Sequence, residues 1–300
     1  MTGLTKTQLD DFASEGMICI PEFLSSSEVE NLRLEARKLL LQLDIESHPK
    51  TLFETGDGDH VGDKYFLDSS DQISYFFDTD AFGTDGKLRF LPEIAVNKIG
   101  HGLHMKNQLY HQITFSDRVK DIVRDLGYKD PRVLQSMLIF KNPTESELET
   151  ARDNEVPSHS DGTFLFTKPQ SAVGFWIALE DCTTENGCLS YSPGTHKTVP
   201  ISKRFVRLEG GKKGCGFEDV PINVDVPVDD PESYRNVECP AGSLILIHNA
   251  VLHKSEKNRL EKSRWAYAFH AIDGTDGYDE KNWLQVPSSG GTNFLKLYEE

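Results

Sequence analysis

Apolar positions at spacings of three and four open the chain, and short alternating runs close it. Val29, Leu32, Ala36, Leu39, Leu40 and Leu43 fall on one face of a helix whose Glu, Arg and Lys residues point the other way. Ser25-x-x-Glu28 ahead of that stripe, and Thr5-x-x-Gln8 before it, have the form of a capping box, so two early helices are expected. Between them GMICIPEFL reads as a short buried strand, and residues 46–64 as a polar, Gly-rich loop. A third helix is expected over 115–126, stopped by Gly127. From about residue 132 the period shortens to two: VLQSMLIFK, SAVGFWIALED, CLSYS, SLILIHNAVLH and RWAYAFHAI read as strands separated by Pro, Gly and Asn turns. The expectation is one domain over 1–300, mainly β with flanking helices. Residues 1–130 form a largely helical preface with the first strands, and 131–300 a β core interrupted by long polar loops at 142–157 and 206–240.

Composition narrows the function classes. Lys+Arg number 32 against Asp+Glu 48, a net charge of −16 without a long basic run, which excludes a nucleic-acid backbone as the expected partner. No stretch approaches the roughly 18 apolar residues of a membrane span, so no membrane partner is expected. The first residues lack a secretory pattern and the last ones a peroxisomal or prenylation signal. Five cysteines without a CxxC pair suit reduced thiols, and a cytoplasmic, monomeric protein acting on a small-molecule substrate is the expectation.

Candidate chemistry starts at His159-Ser160-Asp161, because residues i and i+2 of an extended strand share a face and can seize one ion. A second histidine from a late strand would complete two imidazoles and a carboxylate, the facial set that holds iron(II) and leaves three positions open. His248 and His253 compete for that place, and their five-residue separation does not choose between them. Eleven residues after His253 comes Arg264, on a strand with Trp265, Tyr267 and Phe269 on one face and Arg264, Ala266, Ala268 and His270 on the other. The alanines leave space beside a guanidinium, which suits a carboxylate-bearing cosubstrate.

HSDG, ENGCLSYSPGTH and HKSEKNRLEKSR with its aromatic strand resemble the phytanoyl-CoA dioxygenase family, and the likeness extends from GMICIPEFLSSSEV through YFLDSSDQISYFF and NKIGHGLH to KNWLQ. The resemblance implies a double-stranded β-helix, the jelly-roll of cupin-like proteins, and an enzyme using Fe(II), 2-oxoglutarate and O2, with ascorbate supportive in vitro. It implies His159, Asp161 and His253 as metal ligands and catalytic residues, Arg264 as the partner of the far carboxylate of 2-oxoglutarate, and Ser255 as the neighbouring hydroxyl. Lys98, Met137 and Trp176 fall on further positions lining the cosubstrate site. Halogenating relatives carry a small residue where this chain has Asp161, so oxygenation is the implied chemistry. The reaction expected is oxidative decarboxylation of 2-oxoglutarate to succinate and CO2 with hydroxylation of an unidentified small molecule. A sensor or scaffold binding metal and 2-oxoglutarate without turnover is the alternative, and a zinc hydrolase on the same ligands leaves Arg264 unexplained.

Other residues carry plainer readings. His101, His104 and His111 lack a nearby carboxylate or cysteine at ligand spacing and are read as surface or packing residues. His196 is read as a loop-holding residue and His270 as a satisfied core histidine, with a place in the pocket as its alternative. Cys182 and Cys188 are read as buried thiols with no cation near them in sequence to activate them. Phe164 and Phe166 are core residues or a wall for the substrate.

Overall fold

The computed structural model describes residues 3–52, 64–143 and 154–298. Both early helices form where the stripe and caps place them. Lys6–Glu15 carries the Thr5/Gln8 capping box and Ser26–Leu41 the Ser25/Glu28 one, and the second helix buries Val29, Leu32, Ala36, Leu39 and Leu40. The third runs over Asp117–Asp125. Gly127, at φ +83, takes the left-handed position after it, and the Gly127 and Tyr128 N–H groups donate to Arg124 O and Val123 O at 2.9 and 3.1 Å. Those two bonds satisfy the last carbonyls in a Schellman motif, which a Cβ at residue 127 would strain.

Two antiparallel sheets make the core. The larger runs in the order Met17–Ile20, Leu244–His248, Val173–Ala178, Arg264–Asp273, Pro131–Lys141, Val96–His101, Ile73–Phe77. The smaller runs Arg235–Val237, Leu189–Tyr191, His253–Ser255, Val156–His159. Together they form a jelly-roll, the double-stranded β-helix. Alternation along each strand divides its side chains between two clusters. Phe175, Ile177, Tyr267 and Phe269 pack outward with Leu32, Ala36, Val119 and Ile122 of the helices, while Trp176, Ala178, Ala266 and Ala268 join an inner cluster with Leu189. Phe175 and Phe269, opposite each other in the register, stack at 4.6 Å and 8°. Fully burying each of these rings contributes about 1.5–3 kcal/mol. The face expected to hold Arg264 beside alanines is therefore the face turned between the sheets.

Two strand readings need correction. SLILIHNAVLH is not one strand: Leu244–His248 lies in the larger sheet and His253–Ser255 in the smaller. The chain changes sheets at Asn249, which is fully buried and anchored by its N–H to Ala172 O at 3.1 Å and by its own carbonyl, which accepts from Gly162 N–H at 2.7 Å. Nor is 206–240 a loop throughout. Lys203–Arg207 and Cys215–Asp219 form a hairpin, and Arg235–Val237 joins the smaller sheet. Buried Phe205 and Cys215 alternate there with charged residues that pair with one another, Arg204 Nε to Glu218 Oε1 at 2.8 Å, so a polar composition concealed a strand pattern. Of the loops expected at 46–64 and 142–157, residues 53–63 and 144–153 lie outside the described residues, and 156–159 is strand.

Candidate metal centre and cosubstrate pocket

The smaller sheet brings two imidazoles together by register. His253 stands opposite His159 in adjacent antiparallel strands, and their ring centroids are 4.3 Å apart. Asp161 arrives differently from the sequence expectation. The strand ends at His159, and Asp161 opens a 3-10 turn whose carbonyl accepts from Phe164 and Leu165 N–H at 2.9 and 2.8 Å. The turn still delivers the carboxylate: Oδ1 lies 3.7 Å from both His159 Nε2 and His253 Nε2. One donor atom from each of the three lies within 4.8 Å of the others, the single such group of at least three among the described residues.

Each ligand is oriented from behind. His159 Nδ1 faces Pro157 O at 2.8 Å and His253 Nδ1 faces Val251 O at 3.1 Å. A carbonyl only accepts, so both Nδ1 atoms donate to it, and each Nε2 is turned toward Asp161. Asp161 Oδ2 accepts from His270 Nε2 at 3.1 Å, and the other His270 nitrogen faces the Gln135 amide at 3.5 Å. One carboxylate oxygen is thereby occupied and Oδ1 remains for a cation. Gly174 permits this approach, since a Cβ there would sit 3.3 Å from His270 Nε2 and 3.4 Å from Asp161 Oδ2. Burial works to raise the Asp161 carboxyl, yet His253, His270 and His159 together hold it well below the usual carboxylate range. Burial, reinforced by His253, depresses His159 to about 4, which keeps it neutral and able to ligate at physiological pH.

A cavity of about 600 Å³ opens from these three residues and is lined also by Lys98, Met137, Trp176, Ser255, Arg264 and His270. Arg264 is 2% exposed and its Cζ lies 5.0 Å from the Trp176 ring centroid. Its Nε and Nη1 are buried without a hydrogen-bond partner. An unsatisfied buried guanidinium is costly, and an anionic oxygen pair is the chemistry that satisfies it. Lys98 is buried, and burial pulls its ammonium down to about 7 against the pull of Asp78 and Asp161. The Ser255 hydroxyl lines the cavity while donating to Gly187 O at 2.8 Å. Lys141, unmarked in sequence, donates to Asn154 O at 2.8 Å and Ser255 O at 3.2 Å and so ties down the segments leading to both ligand strands.

His248 is elsewhere. Its Nδ1 accepts from Ala250 N–H at 3.1 Å, its ring lies 4.8 Å from His196, and it does not line the cavity. His196 reaches Ala13 O at 3.2 Å. Phe164 and Phe166 do not line the cavity either: Phe164 packs 5.9 Å from Phe205, and Phe166 lies beneath Arg204 at 5.3 Å. Two plain readings gain a second part: His270, buried and hydrogen-bonded as read, lines the cavity as its alternative had it and is the partner of Asp161, and Cys182, buried as read, feels the charge of Arg264. Neither contact joins residues close in sequence, so no local pattern announces it.

The model of the phytanoyl-CoA dioxygenase (PhyH) family matches residues 12–266. The chain belongs to the phytanoyl-CoA dioxygenase family. It is 38% identical over 295 residues to the phytanoyl-CoA dioxygenase domain-containing protein 1 homolog of Caenorhabditis elegans, covering 97% of this chain and 98% of that one. It is 40% identical over 284 residues to a phytanoyl-CoA dioxygenase of Arabidopsis thaliana, with 94% of each covered. Among solved structures, EctD from S. alaskensis with bound Fe superposes with a TM-score of 0.60 at 18% identity, over 93% of this chain and 80% of that one. The epimerase SnoN in complex with Fe3+, alpha ketoglutarate and nogalamycin RO gives 0.56 at 16% identity, over 90% and 83%. These structural likenesses establish the shared fold, and the family membership rests on the sequence matches.

Proposed function

We propose that the chain is an Fe(II)- and 2-oxoglutarate-dependent dioxygenase that converts 2-oxoglutarate and O2 to succinate and CO2 while hydroxylating a small molecule. The observation that carries this reading is one cavity with His159, Asp161 and His253 at one place and the unpaired guanidinium of Arg264 at another. The donor set would fit iron(II): the two imidazoles of His159 and His253 and the carboxylate of Asp161 would hold it and leave room for small ligands. When bound, the iron supplies dioxygen activation, which the side chains alone do not.

The chain's own residues do the remaining work. Arg264 takes the far carboxylate of 2-oxoglutarate through Nε and Nη1, and Trp176 backs the guanidinium plane. Lys98, Met137 and Ser255 border the same space and fix the cosubstrate's orientation. His270 holds Asp161 Oδ2, so that Oδ1 would be the oxygen left to hold the metal. Residues 1–300 act as one catalytic unit in this reading, supported by the pairing of Met17–Ile20 with Leu244–His248 in the larger sheet. Five free thiols suit a reducing cytoplasm.

The test is anaerobic addition of iron(II) and 2-oxoglutarate, followed by oxygen with ascorbate present. The expected result is a visible charge-transfer band and then succinate above a metal-free control. A band without succinate would establish the non-catalytic sensor instead, and neither signal would remove both readings.

A further inference from the structure

Arg264 also touches a pair of cysteines that the proposed reaction does not use. Cys182 and Cys239 stand directly opposite each other in an antiparallel bridge, with Cys182 N–H donating to Cys239 O at 2.8 Å and Cys239 N–H to Cys182 O at 3.0 Å. Residues that exchange both backbone bonds have Cα atoms about 5.5 Å apart. That separation is within the span of a disulfide. Both cysteines pack in the inner cluster, where Cys19 on the strand Met17–Ile20 packs against them, and the Cys182 thiol donates to Glu180 O at 3.4 Å. The Arg264 charge acts on Cys182 and on its neighbour Cys188. We propose that Cys182 and Cys239 are a peroxide-oxidisable dithiol, with Cys182, beside the Arg264 guanidinium, as the attacking sulfur and Cys239 as the resolving one.

The thiols differ in the direction this requires. The Cys239 contact and then the Arg264 charge, working against burial, lower the Cys182 thiol below its ordinary value. The neighbouring Cys188 is pushed up to about 11 by burial, and Cys215 to about 12. Thiolate character decides which sulfur attacks, which favours Cys182 over Cys188 and Cys215, and its place opposite Cys239 in the bridge favours it over Cys19, whose thiol the Cys239 contact also lowers. Cys182 and Cys239 are 2% and 6% exposed, which favours a water-sized oxidant such as hydrogen peroxide over a bulky disulfide.

The chemistry balances in two steps. The Cys182 thiolate attacks one peroxide oxygen, forming an S–O bond as the O–O bond breaks, and the leaving hydroxide takes up the thiol proton to become water. Sulfur is oxidised by two electrons and peroxide reduced by two. Cys239 then attacks the sulfenic sulfur, an S–S bond forms as the S–O bond breaks, and the departing hydroxide leaves as water with the Cys239 proton. One consequence rests on the function proposed above: 2-oxoglutarate seated on Arg264 partly neutralises the cation and slows the oxidation.

The test uses the full chain, stripped of metal by a chelator and treated with hydrogen peroxide. Expected are the loss of two of the five free thiols, the loss of two hydrogens from the intact mass, and a mapped peptide joining Cys182 to Cys239. Cys239→Ser should stall at a Cys182 sulfenic acid captured by a dione probe, and Arg264→Met should slow the first step roughly tenfold. Five surviving thiols, a Cys19–Cys239 bridge in its place, or an Arg264→Met rate equal to the parent's would overturn the proposal. Mapping on the unsubstituted chain decides it even if a variant misfolds. If the bridge forms at a rate indifferent to 2-oxoglutarate, the dithiol stands and the placement of the cosubstrate at Arg264 falls.

Discussion

Two groups of three histidines sit in this chain, and what surrounds each ring separates them. His101 Nδ1 meets Ser69 Oγ at 2.8 Å, His104 Nδ1 meets Ser136 Oγ at 2.7 Å, and His111 Nδ1 meets the His104 carbonyl at 2.8 Å. His101 packs among aromatic rings, 5.7 Å from Phe66, 5.4 Å from Phe76 and 5.1 Å from Trp283. In the other group, His159, His253 and His270 all face one carboxylate, Asp161. Burial neutralises rings in both places, depressing His101 and His104 to about 3 and His159 to about 4. A neutral buried imidazole is therefore common to both groups. What suits the second group to a metal is the convergence of two Nε2 atoms on a carboxylate oxygen, with each Nδ1 occupied by a backbone carbonyl.

The largest contrast is expected from removing one ring on each side. His253→Ala takes away one of three protein donors and should abolish iron(II) binding and succinate formation, because two donors seldom hold iron in an open facial arrangement. His104→Ala should leave iron affinity in place and instead cost about 1–3 kcal/mol of stability, since the Ser136 hydroxyl and the space around it lose a partner. Anaerobic iron titration and urea unfolding of both variants measure the two effects. Iron loss in a folded His104→Ala protein would erase the distinction between the groups.

Acid should act chiefly through the packing group. His101 and His104 take up a proton at about 6.5 when unfolded but only at about 3 when folded. Between those values the unfolded chain binds more protons, so stability rises with pH and falls as pH drops through this window. Each such histidine contributes a slope of about 1.4 kcal/mol per pH unit. His104→Asn should flatten the measured slope by about that amount between pH 6 and pH 4, and an unchanged slope would show that His104 is not held neutral by the fold.

How much of this was legible depended on whether the determining contact was local. The capping boxes at Thr5 and Ser25, the stripe from Val29 to Leu40 and the division of Arg264–Asp273 into a bulky and a small face are all set by residues within a turn or two of one another. The family likeness carried the choice of His253 over His248, which periodicity left open. The reason periodicity failed is now visible: the two histidines belong to different sheets, so the rule for one strand did not apply. His270 meets Asp161 across 109 residues of chain, and Cys182 feels the charge of Arg264, which is likewise remote from it in sequence. Such contacts follow from which strands become neighbours, and that is not written in the local order of apolar and polar positions.

The role of His270 gives a smaller and sharper test within the metal group. His270→Phe retains a ring but withdraws the donor from Asp161 Oδ2, freeing the carboxylate to rotate. Losing a partner of this kind typically costs 10- to 100-fold in metal affinity. Iron titration should show that loss with the fold intact by circular dichroism, and 2-oxoglutarate affinity measured with a saturating redox-inert metal should change little. An unchanged iron affinity would mean that the turn at Asp161 alone holds the carboxylate in place.

The smallest effect on iron is expected at the histidine that sequence spacing could not exclude. His248 ends the strand Leu244–His248 of the larger sheet, with its ring 6.2 Å from Phe12 and 4.8 Å from His196, and its Nδ1 accepting the Ala250 N–H at 3.1 Å. It touches the early helix and the turn that carries the chain between sheets, not the cavity. His248→Ala should therefore leave iron affinity within about twofold and cost about 0.5–1.5 kcal/mol, the net worth of one hydrogen bond. That cost falls on the turn at Asn249–Leu252, whose job is to deliver His253 to the strand beside His159. A folded His248→Ala protein that no longer binds iron, beside a His253→Ala protein that binds normally, would break the register placing His253 opposite His159, and Ser255 and Arg264 would lose their assigned places with it.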